Sequence, residues 1–286
     1  MAKIRKAVIT AAGNKQQALP LQTLVDRDGE SKSVLRIIVD EVIRAGIDEI
    51  AVVVSPNTQD AYRAAAGEAG KQLIFIEQET SQGYAHAVYR SKDFVKDSPF
   101  LHLVGDHLYV SADGRGCAEQ LIEIAALEKC SVSAVQATKE FNLLHFGTIG
   151  GQRVPEQDKL YHIHDVIEKP TPTVAEQRLV IPGLRAGSYL CFFGMHVFSP
   201  LMIDLLKHRF EASDQEPPKH LSEALAELAK RERYLAVELA GNRYEIAAKY
   251  GLFEAQLALA MEGSDRDEIL TNILDYLATR TLQNGK

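Results

Sequence analysis

Three stretches of this chain hold residue types suited to work on a phosphate. The first is Asp106, a carboxylate placed directly after the apolar run "FLHLVG". At the carboxyl end of a strand it can hold Mg²⁺ against a phosphate, or it can simply cap the next loop. The second is "VIEKP" at 166–170. If that segment is extended, Glu168 and Lys169 alternate faces, one accepting sugar hydroxyls and the other meeting a phosphate. An exposed Glu–Lys pair on an edge strand is the plainer alternative, and Pro170 suits it. The third is "QETSQGYAHAV", with Gln78 after a strand and Gly83 at a helix entrance. An amide there can read a base edge, and a glycine lets the backbone come close. His86 and the "HIH" at 162–164 lack the partners that zinc spacing requires. His86 is expected to make a helix-to-loop hydrogen bond.

The elements that position these residues follow an α/β rhythm. "KAVITAAG" gives a strand and a glycine turn at Gly13, and "SVLRIIVDEVIRAG" has helical apolar spacing. "IDEIAVVVSP" is a near-continuous apolar strand of the kind buried on both faces. "KQLIFIEQ", "PFLHLVGDH" and "CSVSAVQAT" read as further strands; "GYAHAVYRSKDF" and "GCAEQLIEIAALEK" read as helices. The expectation is a doubly wound, mostly parallel, Rossmann-like sheet. Ligands of such sheets bind beyond the carboxyl ends of the strands, where Gly13, Gln78, Gly83 and Asp106 all fall.

After about residue 138, "LLHFGTIGGQRVP" and "KLYHIHDVIEKP" read as short strands, and "TPTVAEQRLVIPGLRAG" as looser chain. "SYLCFFGMHVFSP" restores a strand, and three helical stretches end the chain. The expectation is one domain over 1–286. It has a nucleotide-binding half (1–138), a smaller mixed-sheet sugar-phosphate lobe (139–240) and C-terminal helices (241–286). Ser264 and Asp267 are placed to form a capping box for the last helix. Ile269, Ile273, Leu274 and Leu277 would share one face of it, expected to lie on the chain's own domain.

A net charge of −7 with scattered Lys and Arg argues against nucleic acid as a partner, but not against a small phosphorylated ligand in a local pocket. No apolar stretch approaches the roughly 20 residues that cross a bilayer, so no membrane partner is expected. "MAKIRKAVIT" reads as a first strand rather than a leader. Cys117, Cys130 and Cys191 form no CxxC unit and are expected to be buried thiols of a cytoplasmic protein.

Taken in order, "RKAVITAAG", "LP", "AGIDEIAVVV", "GDH", "FGTI", "VIEKP", "GSYLCFFGMHVFSP" and "GNRYEIAAKYGLFEA" resemble the bacterial glucose-1-phosphate uridylyltransferases, within the sugar-phosphate nucleotidyltransferases. The resemblance implies Mg²⁺-dependent transfer of a nucleotidyl group, UTP favoured, to a sugar 1-phosphate, glucose 1-phosphate favoured, with release of pyrophosphate. It implies that Asp106 and Glu245 hold the metal and that Lys169 grips the sugar phosphate. Ala12, Gly13, Gln78, Gly83, Gly147, Glu168 and Gly187 would contact nucleotide or sugar. Members are commonly dimers or tetramers, so a homo-oligomer is expected.

The departures fall in the triphosphate loop. The family reads approximately Gly-x-Gly-Thr-Arg, where this chain has Gly13-Asn14-Lys15-Gln16-Gln17. The second glycine has become Lys15 and the arginine Gln17, and the stretch after Pro20 is short. Lys15 is the nearest substitute for the lost charge and the remaining catalytic candidate. Two readings follow: a divergent active enzyme, or a catalytically impaired relative that binds a nucleotide sugar or sugar phosphate in a regulatory or partner role.

Overall fold

The computed structural model describes residues 2–13, 17–80, 82–211 and 218–283. The chain opens with strand β1 (Lys6–Thr10), the short strands β2 (Thr23–Val25) and β3 (Ser31–Ser33), and helix α1 (Val34–Arg44). Then come β4 (Glu49–Val54), α2 (Gln59–Ala65), β5 (Ile74–Glu77), α3 (Tyr84–Arg90) and α4 (Lys92–Val95). β6 (Phe100–Val104), β7 (His107–Ser111), α5 (Cys117–Glu128) and β8 (Ser131–Lys139) complete the first half. The second half runs β9 (Gly147–Arg153), β10 (Leu160–Glu168), α6 (Pro172–Arg178), β11 (Ser188–Phe198) and α7 (Leu201–Glu211). It ends with α8 (Ser222–Arg231), β12 (Tyr234–Glu238), β13 (Gly241–Glu245), α9 (Gly251–Met261) and α10 (Arg266–Gln283).

Nine strands make one sheet in the order β5-β4-β1-β6-β11-β8-β12-β10-β9. The strands β5, β4, β1 and β6 run parallel, as do β8 and β12. β11 runs against β6, β8 and β9, and β10 runs against β12 and β9. The sheet is therefore mixed rather than mostly parallel, and the segment after 138 extends it instead of forming a lobe with its own sheet. The cause lies in the connections. A parallel neighbour needs a crossover of a dozen or more residues, whereas β9 returns into β10 through a short turn.

Alternation along the parallel strands builds a core on each face. Ala7 and Ile9 of β1 pack with α1, α5 and α9, while Val8 faces α3, α7 and α8. α1 starts cleanly because Ser33 accepts from the Arg36 N–H at 3.0 Å.

Several elements differ from expectation. "TLVDRDGESKS" is a β2–β3 hairpin turning at Gly29, whose φ of +81° favours glycine. The expected helix over 83–94 breaks at Ser91 into α3 and α4. α6 forms in the loose stretch, capped by Thr171 with Pro172 in its first turn. The C-terminal portion begins with a strand, since β13 pairs antiparallel with β7. Ser264 turns its hydroxyl to Asp265 at 3.0 Å, and Leu274 of α10 is 57% exposed. The three cysteines are buried and free. Among the described residues, no helix is long and apolar enough to cross a membrane.

Candidate functional site

A cleft of about 390 Å³ opens beyond the carboxyl ends of β1, β5 and β6. Ala12 and Gly13 reach it from β1, Gln78 from β5, Gly83 and Tyr84 from the start of α3, and Asp106 and His107 from the end of β6. Glu168 and Lys169 line it from the end of β10, together with His145 and His220. The cleft thus gathers seven of the sequence-predicted residues from far-separated parts of the chain.

Close backbone approach shapes the floor. The Gly105 N–H donates to the Thr10 carbonyl at 2.9 Å, and a Cβ at Gly105 would fall 3.0 Å from that oxygen. At Gly83, φ is +95° and a Cβ would lie 2.5 Å from the Lys219 carbonyl oxygen. Tyr84 N–H donates to that same carbonyl at 3.0 Å, so the start of α3 is clamped to the segment before α8. Gln78 is buried and its Nε2 donates to the Gly83 carbonyl at 3.2 Å. Nε2 also lies 3.0 Å from His86 Nδ1, which leaves the amide oxygen as the free end; that amide orientation is assigned from the hydrogen-bond network.

The Asp106 carboxylate meets His107 Nδ1 at 2.8 Å. Burial pushes its pKa up, but the bond and charge of His107 outweigh this and hold it below the ordinary carboxylate value. Glu245 arrives on β13 opposite His107, and the Ile246 N–H donates to the Asp106 carbonyl at 3.0 Å. Glu245 is close to Asp106 along the backbone but does not line the cleft. Among the described residues no group of three or more His, Cys, Asp or Glu is placed to hold a metal. A pair of carboxylates still fits Mg²⁺, which takes one or two protein oxygens and completes its shell with phosphate and water.

Glu168 and Lys169 do not alternate faces. β10 ends at Glu168, and Lys169 turns out of the strand with φ +46°, its N–H donating to the Phe146 carbonyl at 3.1 Å. Both side chains therefore line the cleft, with Lys169 Nζ 3.9 Å from Glu168 Oε1. Glu168 also accepts from the Ser222 hydroxyl and stands 3.6 Å from His220 Nδ1. Gly147 lies beside this group, since a Cβ there would fall 3.2 Å from Glu168 Oε2. Gly187 is elsewhere: it turns into β11 with φ +71°, and its carbonyl accepts from the Glu140 N–H at 3.1 Å. That turn needs a glycine for its backbone.

Lys15, with Asn14 and Gln16, lies outside the described residues. Gln17 is turned inward, its amide donating to Ser55 Oγ at 2.9 Å, while Ser55 donates to the Ala12 carbonyl at 3.2 Å. Lys32 sits among Asp26, Asp28 and Asp40 at 2.7, 2.5 and 3.6 Å. Burial lowers its pKa, but Asp26 and Asp28 outweigh that and raise it. Among the described cleft residues Lys169 is the one lysine or arginine.

The sequence did not point to Tyr84, His145 or His220. His220 stands in "PPKHLSEAL", and a lone loop histidine carries no motif.

The family description "Nucleotidyl transferase" matches residues 9–259. A UTP–glucose-1-phosphate uridylyltransferase 1 of Streptococcus pyogenes serotype M3 is 27% identical, across 100% of this chain and 98% of that protein. Among solved structures, a UDP-glucose pyrophosphorylase complexed with UDP-glucose superposes with a TM-score of 0.71 at 22% identity, covering 89% of this chain and 98% of that one. A UTP-bound UGPase from Acinetobacter baumannii gives 0.72 at 20% identity, covering 95% and 99%.

Proposed function

Because this chain belongs to the nucleotidyl transferase family, we propose that it transfers a uridylyl group from UTP to glucose 1-phosphate. The observation that carries this is the one cleft that Gln78, Gly83, Asp106, Glu168 and Lys169 line together. The relatives named above act on or bind these same compounds. A phosphate oxygen of the sugar phosphate attacks the α-phosphorus in line. The P–O bond to the β-phosphate breaks, and pyrophosphate leaves with its electron pair. Gln78 offers an acceptor oxygen to a base bearing a ring N–H, as uracil does, and Gly83 leaves room for the base edge. Glu168 accepts sugar hydroxyls while Lys169 holds the sugar phosphate. Asp106 and Glu245 would hold Mg²⁺, which when bound neutralises charge on the reacting phosphates.

A second reading rests on Gln17 and Lys32. Both are committed inside the protein, and Arg27 reaches the Ser111 carbonyl away from the cleft, so the described part of the first loop offers no cation to a β- or γ-phosphate. On that reading the chain binds a nucleotide sugar without turnover. Pyrophosphate release across nucleoside triphosphates and sugar 1-phosphates, with Mg²⁺ and with Lys15→Ala, separates the two. Release from UTP and glucose 1-phosphate that is lost in Lys15→Ala supports the enzyme. No release, with UDP-glucose binding indifferent to Lys15, supports the binder.

A further inference from the structure

Arg243 is a cation that the protein's own groups leave without a counter-ion. Its guanidinium stacks on the Phe146 ring, 3.8 Å from the centroid, and Nη1 donates to the Phe192 carbonyl. Among the described residues no carboxylate stands within the 4.0 Å of an ion pair, and burial pulls its pKa below the ordinary arginine value. A guanidinium has five N–H donors, and the other nitrogens find no protein acceptor among these residues. Every fully buried side-chain nitrogen there does have a partner, so the remaining Arg243 donors face open space. Withdrawing a positive charge from water without pairing it is costly, which makes such a residue a poor structural choice.

Its neighbours locate that open space. Phe146 lies between His145 of the cleft wall and Gly147, and its carbonyl holds the Lys169 N–H. Phe192 contributes the ring nearest a Cβ at Gly147, at 3.0 Å. Along β13, Arg243 shares a strand face with Glu245, opposite Tyr109 and His107. Arg243 therefore lies next to the Phe146–Gly147 segment at the Lys169 end, just behind the residues that line the cleft.

We propose that Arg243 is the second cation of the anion site and binds a phosphate oxygen of the ligand that Lys169 holds. This rests on the reading of the cleft as a site for sugar phosphates. The missing counter-ion is then supplied by the ligand, through a charge-assisted bond that a flat guanidinium makes well.

The test is calorimetric titration of the full chain, as wild type, Arg243→Met and Arg243→Lys, with glucose 1-phosphate, UDP-glucose and uridine. Arg243→Met is expected to weaken both phosphate ligands by about tenfold or more, leave uridine unchanged, and leave the melting temperature of the unliganded protein near wild type. Arg243→Lys should recover part of the loss. Wild-type affinity in Arg243→Met would overturn the proposal and leave the reading of the cleft intact. An equal loss for uridine, or a melting temperature falling in step with affinity, would also overturn it by marking a structural role. If the wild type binds neither phosphate ligand, the proposal falls together with that reading.

Discussion

On the proposed function, Lys169 carries more of the ligand-binding burden than its sequence context suggests. Its contact with Glu168, at 3.9 Å and with the lysine side chain 48% exposed, contributes little to stability. Lys169→Ala should therefore melt like wild type yet bind glucose 1-phosphate or UDP-glucose about tenfold to a hundredfold more weakly. Unaltered affinity in a titration would remove this residue from the site. Gln17 behaves in the opposite way. Because its amide already serves Ser55, restoring the arginine as Gln17→Arg should not raise pyrophosphate release, and losing that bond should cost about 1 kcal/mol of stability. A gain of tenfold or more in turnover would show that the loop tolerates an outward guanidinium after all. Asp106 and Gln78 were legible as residues of the cleft because each follows an apolar strand. His220 was not, since nothing local tells a loop side chain which distant wall it will join.

The elements divide in the same manner. β1, β4 and β6 were readable because both of their faces are covered, which writes a nearly continuous apolar run, while β5, at the sheet's edge, is only partly buried. β13 reads "GNRYE", a polar segment made a strand only by its ladder with β7, and β2 and β3 are three residues each. α6 was hidden by the prolines around it, one of which begins it. The junction most exposed to a single change is Gly83, where α3 meets the segment before α8. Gly83→Ala places a Cβ 2.5 Å from the Lys219 carbonyl oxygen at a φ of +95°, two penalties at one residue. The expected cost is roughly 1–3 kcal/mol, read as a lowered melting temperature, together with weaker UDP-glucose binding as the cleft wall shifts. A variant that melts and binds like wild type would show that the clamp yields without consequence.

At the scale of the whole molecule, the seam between the parallel and antiparallel parts of the sheet runs between β6 and β11, where His102 and His196 stand directly opposite each other. Both are buried, with ring centroids 5.8 Å apart. His102 lies 3.4 Å from the Tyr84 hydroxyl and 3.3 Å from Thr10 Oγ1, both on the cleft wall. His196 Nδ1 is 2.5 Å from Ser133 Oγ, which also meets the Tyr234 hydroxyl. Among the described residues, no carboxylate is bonded to either ring. Burial, aided at His102 by its neighbour His196, pushes the pKa of His102 well below the ordinary histidine value; burial pushes that of His196 down to about 3. The unfolded chain therefore binds more protons than the folded one between the ordinary value near ~6.5 and those depressed values. Stability must rise with pH across that window: it is complete above about 6.5 and is lost as pH falls toward 3. The total loss is on the order of a few kcal/mol. Asp106 and Asp28, whose pKa values are lowered, add losses in acid of their own, so the measurement is a difference. Urea midpoints from pH 7.5 down to 4.5, taken for wild type and for His196→Asn, should converge as pH falls, because the variant has no imidazole to charge at that position. Parallel curves would mean that water reaches the seam and that the two parts of the sheet are not sealed against each other there.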